Sequence, residues 1–171
     1  MGRGRPIHAL LGLFLAITTA WASVAPGVAV VRTVPWVQAD ATRDGAAEML
    51  VLLEVARLRQ LGNPAGVVAV GDRRGLFHTG AEEALRLAVM RGVPVVKLAH
   101  GGQVLPAPHG LFLDGGQLSE AEAATLLVRC RDRHGVLPAA TEGADLAELR
   151  ARLQLYQSEF TLAASARLAA R

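Results

Sequence analysis

Directly after the apolar run GVVAV (66–70) stands a five-residue turn, GDRRG, from Gly71 to Gly75. Its residue types suit the holding of a carboxylate. Gly71 and Gly75 permit backbone conformations that turn amides toward a ligand. Asp72 supplies an acceptor, and Arg73 and Arg74 supply bidentate donors matched to a carboxylate. The same residues also describe an ordinary solvated turn between strand and helix, because a lone G-x-x-x-G has little specificity. Three histidines follow at loop positions, His78, His100 and His109, and with Asp72 they could hold zinc. Their spacings match no compact ligand motif, so metal is the minor reading and no cofactor is called for. His134 falls in the last turn of a predicted helix, where its charge suits the dipole.

Nucleophilic chemistry finds little support. The chain has no G-x-S-x-G elbow and no G-x-x-x-x-G-K-[ST] phosphate loop. Cys130, the one cysteine, excludes an internal disulfide and lies among apolar residues, which raises a thiol's pKa and hides it. Thr79 opens a predicted capping box with Glu82. The remaining acid pairs, Glu82 with Glu83 and Glu120 with Glu122, stand in helix first turns, where acids are expected for electrostatic reasons. No self-sufficient catalytic machinery is visible.

The elements that would position these residues follow from periodicity. VAVVRTV (28–34), VVAVG (67–71) and VPVVKLA (93–99) read as strands, and GLFLD (110–114) as a short fourth. Between them, 44–61 has helical spacing, ended by Asn63-Pro64, and 79–90 is a helix closed by Arg91 and Gly92. Ser119 and Glu122 form a second capping box, before a helix that closes on basic residues and a glycine. PAATEGAD (138–145) reads as a polar linker, and a last helix carries Leu146, Leu149, Leu153, Tyr156 and Phe160 on one side. The alternation predicts an α/β fold with a mainly parallel sheet of about four strands flanked by helices. Ligands of such sheets bind beyond the carboxyl ends of the strands. Three segments reach that edge: 35–44, 71–80 and 100–110.

Bulk properties narrow the classes. The chain has 171 residues, enough for one domain, and is 51% hydrophobic, which excludes a disordered chain. Its formal charge is +3, and Lys97 is the one lysine among eighteen basic residues. MGRGRPIH, ALLGLFLAITTA and Ala20-Trp21-Ala22 give the basic region, apolar run and cleavage pattern of an export signal over 1–22. Without that segment the balance is about +1, which marks no nucleic-acid binder. The apolar run is shorter than the roughly 20 residues of a spanning helix. The expectation is a periplasmic or secreted chain, free of the membrane once cleaved.

The run GVVAVGDRRGLFHTGAEEALRLAVMRGVPVVKLAHGGQVL resembles the C-terminal domain of bacterial-type asparaginases and glutaminases. There a strand G-[LV]-V-x-x-G meets a turn G-T-G-N-G, a helix, and then G-[VI]-P-V-V. GGQLSEAEAATLLVRC is similar to that family's G-x-L-[ST]-x-x-K-A-x-x-L-L helix, LQLYQSEF to its closing helix, and VAVVRTVPW to its first strand. The resemblance spans roughly 26–160 and implies a Rossmann-like domain over 23–160; the final turns, 161–171, read as a frayed helical tail. It implies assembly through this domain, either as a homo-oligomer or with a separate catalytic domain. The family's T-G-G-T and D-G-T-D motifs have no counterpart here. Arg74 stands at the turn's asparagine position, Asp72 at its threonine position and Glu122 at the helix lysine position. The implied function is an exported module, not catalytic alone, that binds a small amino-acid-like carboxylate or a protein partner. The alternative is one half of a split or oligomeric amidohydrolase that converts L-asparagine to aspartate and ammonia.

Overall fold

A computed structural model describes residues 25–32, 41–60, 62, 64–71, 77, 79–98, 110–141 and 144–169. Four strands, β1 (Val28–Arg32), β2 (Gly66–Val70), β3 (Val95–Leu98) and β4 (Leu113–Asp114), form one sheet in the order β1-β2-β3-β4. Every pairing is parallel, with Val28 opposite Gly66, Val67 opposite Val95 and Val96 opposite Leu113. The helices are α1 (Ala41–Gln60), α2 (Thr79–Met90), α3 (Glu120–His134) and α4 (Ala144–Ala169). The α/β fold with a parallel four-stranded sheet is the one that the periodicity predicts, and it is consistent with a Rossmann-like architecture.

Strand composition explains the layering. A parallel sheet has helices on both faces, so its strands read as continuous apolar runs. β2 is buried at all five positions, and the first four residues of β1 are buried as well. Alternate residues face opposite sides. Lys97 reaches the first turn of α2 on one face, while Gly66 approaches Leu127 of α3 on the other. α1 and α2 pack on each other, α3 lies against β1 and β2, and α4 lies against α3 and β4.

The helix ends are closed by recognisable devices. At the end of α2, Val93 N donates to Ala88 O (3.0 Å) and Gly92 N to Val89 O (2.9 Å), a Schellman pair with Gly92 at φ +84°. α3 opens on the expected capping box. Glu122 N donates to Ser119 Oγ at 3.3 Å, and Ser119 N donates to Glu122 Oε2 at 2.7 Å. Its last carbonyls are taken by α4, where Tyr156 Oη donates to Gly135 O at 2.8 Å and Arg152 donates to His134 O. The stretch read as a polar linker does more than connect. Ala140 is buried and its N donates to Met90 O at 2.8 Å, so the chain after α3 closes the end of α2. The predicted fourth strand shrinks to two residues, whose outer edge pairs with a side chain. Asp114 N donates to Gln157 Oε1 (2.8 Å) and Gln157 Nε2 to Asp114 O (3.3 Å). α4 runs on to Ala169 and buries Leu149, Leu153, Tyr156 and Phe160.

Gly66 is the tightest point of the central layer. A Cβ there would lie 2.7 Å from Pro94 O and 3.1 Å from Leu127 Cδ1, at φ +147°. Gly45, inside α1, has nothing within 4 Å of an added Cβ. Gly66→Ala should therefore cost at least about 2 kcal/mol. Gly45→Ala should instead stabilise by about 0.5–1 kcal/mol. Urea denaturation followed by circular dichroism checks both, and equal effects of the two substitutions would contradict this packing.

Candidate functional site

The strands' carboxyl ends are Arg32, Val70 and Leu98, in mutual register, with Gly71 following β2. Gly71 is buried and its N donates to Leu98 O at 2.9 Å, which fixes the start of the turn against β3. The rest of the expected turn, Asp72, Arg73, Arg74 and Gly75, lies outside the described residues, as do His78, His100 and His109. Among the described residues no group of three His, Cys, Asp or Glu could hold a metal ion.

What the structure adds is Lys97. It is the third residue of β3, on the face that carries α2, and its side chain is 13% exposed. Its Nζ donates to Glu82 Oε1 at 2.7 Å. It also lies 4.3 Å from the Phe112 ring centroid and 5.4 Å from that of Phe77. Cation–π attraction of this kind strengthens where water is excluded. Its in-register neighbour on β2 is Ala69, a small residue that leaves room beside the chain. On the other side it is in register with Asp114, whose Oδ1 accepts from Gly116 N at 2.8 Å. Glu82, expected as the acid of a capping box with Thr79, thus gives an oxygen to the sheet, and Thr79 is the first helical residue. The sequence held one signal for this site: a lone lysine one place from the end of an otherwise apolar strand.

Among the described residues, two further charges at this edge are held by partners. Arg32 closes a two-pronged pair on Glu120 in the first turn of α3, with Nε at 3.1 Å from Oε1. Glu122 combines its cap with an ion pair to Arg167, and Ser119's hydrogen bonds, with that pair, hold its carboxyl below the usual range. The acids of the first turn of α3 are therefore structural.

An open cavity of about 600 Å³ lies at the opposite, amino end of the sheet, lined by Ala25, Pro26, Thr125, Val128, Arg129, Asp132 and Arg133. Asp132 is bound to Arg131 and Arg133 to Glu159, and the lining is mainly apolar. Among the described residues no buried side-chain nitrogen or oxygen is left without a hydrogen-bond partner. The carboxyl edge, with its part-buried ammonium, is the better candidate on chemical grounds. No helix among the described residues is long and apolar enough to cross a membrane. Comparison with protein-family models, with curated proteins and with solved structures finds no match to this chain.

Cys130 is fully buried on α3, and burial pushes its thiol from 9.0 up to about 12. Burial likewise pushes the Tyr156 phenol from 10.0 up to about 12. Both groups stay protonated in the fold at pH values where the unfolded chain ionises. Stability from them is complete below about pH 9 and declines as pH rises toward 12. A thiol reagent at pH 8 should leave the native protein untouched and label one thiol in denaturant. Cys130→Ala should reduce the alkaline loss of stability, and rapid native labelling would contradict the burial.

Proposed function

We propose that the chain is an α/β binding module, exported and not catalytic alone, that holds a small amino-acid-like carboxylate at the carboxyl edge of its sheet. The observation that carries this reading is a compact cation, Lys97, kept part-buried at that edge beside the start of the turn at Gly71. An ammonium in such a place attracts an anion more strongly than one in water. The order of motifs that resembles asparaginase and glutaminase C-terminal domains supports the same taste in ligands. Asp72, Arg73, Arg74 and Gly75 would contribute from the turn, with Arg74 as the bidentate donor.

A second reading is one half of a split or oligomeric amidohydrolase. It is favoured by Met49 and Leu53, 55% and 60% exposed and four apart on α1, which would suit cover by another chain.

The test is a thermal-shift screen of the purified chain against amino acids, their amides and dicarboxylates. A ligand at one hundred times its Kd stabilises by about 2.7 kcal/mol, a rise of roughly 5–11 °C. L-Aspartate should produce it, and Arg74→Ala should abolish it with the fold intact. L-Asparagine and L-glutamine should release no ammonia at an enzymatic rate. A flat panel would contradict the binding reading, and robust turnover would replace it with the amidohydrolase.

A further inference from the structure

We infer that the second half of α4 is a guard on the outer edge of the sheet, with Gln157 as its latch, and that it keeps a second copy of this chain from adding a strand to β4. β4 ends the order β1-β2-β3-β4, and a terminal strand offers main-chain groups to any extended segment. Gly115 N donates inward to Lys97 O at 3.1 Å. Main-chain groups alternate in direction along a strand, so those of Asp114, one residue earlier, turn outward. Gln157 Oε1 accepts from Asp114 N at 2.8 Å, and Gln157 Nε2 donates to Asp114 O at 3.3 Å. Two residues that exchange both bonds form the hydrogen-bonded pair of an antiparallel ladder. The amide therefore occupies the place of one residue of a fifth strand.

The following turns of the helix are set against the same edge. Gln157, Thr161 and Ala164 recur at spacings of four and three, so they share one side of α4, next to the side that buries Tyr156 and Phe160. Gln157 Nε2 also donates to Thr161 Oγ1 at 3.4 Å, which turns the amide so that its oxygen meets Asp114 N. Asp114 Oδ1 accepts from Gly116 N at 2.8 Å, and that turn, with Gly116 at φ +53°, ends β4 after two residues. A Cβ on Gly116 would stand 3.4 Å from Ala164 Cβ, so α4 lies over the turn as well. Arg167 fastens the last turn of the helix to Glu122 at the head of α3. Strand addition through main-chain bonds asks for no particular side chains. The extended apolar segments nearest to hand are the chain's own, VAVV in β1 and GVVAV in β2, uncharged and rich in β-branched residues. When copies fold side by side, these are the strands that an open β4 would recruit.

Gln157→Leu nearly keeps the size of the side chain and removes both bonds. Amide hydrogen exchange at Asp114 and sedimentation velocity over a range of concentrations read the outcome, with circular dichroism to show that each variant is folded. Exchange at Asp114 should quicken by about tenfold, the worth of a net hydrogen bond to a local opening. The variant should also associate with rising concentration, beyond any association of the wild-type chain. Asp114→Pro in the Gln157→Leu background removes the outward donor and should return association to the wild-type level. Gln157→Glu, which keeps the acceptor and loses the donor, should show both changes to a smaller degree at pH 7. Unchanged exchange at Asp114 in the folded Gln157 variants would remove the latch. Quickened exchange without added association would overturn the guard against a second copy. Association that survives Asp114→Pro would place the contact away from β4 and overturn it as well.

Discussion

The structure depends on the burial of β2 from both sides. Its backbone is paired to β1 on one edge and β3 on the other, and its five side-chain positions are all buried. Apolar area removed from water stabilises by roughly 25 cal/mol per Å², and close packing decides how much of it is realised. The strand achieves that closeness by being small: Gly66 admits Pro94 and Leu127, and Ala69 leaves room on the helix-bearing side next to Lys97. A larger strand would push α3 away from the sheet and take the covering of β1 with it.

From that layer the polar edge follows. Because the strands are parallel, Arg32, Gly71 and Lys97 come out at one end of the sheet, although long stretches of chain separate them. The two first turns of α2 and α3 meet them there. Glu120 holds Arg32, and Glu82 holds Lys97. The two pairs differ in setting. Arg32 is 44% exposed, and a pair so open to solvent adds little to stability. Lys97 is part-buried, paired with one acceptor among the described residues, and flanked by rings, a setting in which an incoming charge counts for more than in water. The amino end of the sheet is packed in another way, by Leu137, Ala140 and the Schellman turn at Gly92.

Much of the fold was legible in the residues. Valine-rich runs bounded by glycine and proline marked the strands, and spacings of three and four along Leu149, Leu153, Tyr156 and Phe160 marked the buried side of α4. The box at Ser119 and Glu122 was legible because its hydrogen bonds are local. The one expected at Thr79 was misread because Glu82 answers to Lys97, fifteen residues on, and periodicity carries no such information. Gln157 against Asp114 was equally invisible, as a contact across forty-three residues. Of the turn expected at the carboxyl edge, only Gly71 lies among the described residues, and the described part of that edge is Lys97, Glu82 and the two phenylalanines.

Lys97 is the one lysine of the chain, so its ammonium can be followed by itself. Protein grown with 15N-lysine carries that label at a single residue, so its side-chain signal needs no assignment. L-Aspartate would be titrated in while the Nζ resonance is followed. A saturable shift, with slowed exchange of the ammonium protons, is the result that carboxylate capture at Lys97 predicts. An unmoved Nζ signal at aspartate concentrations that raise the melting temperature would place the ligand elsewhere and rule out capture at Lys97.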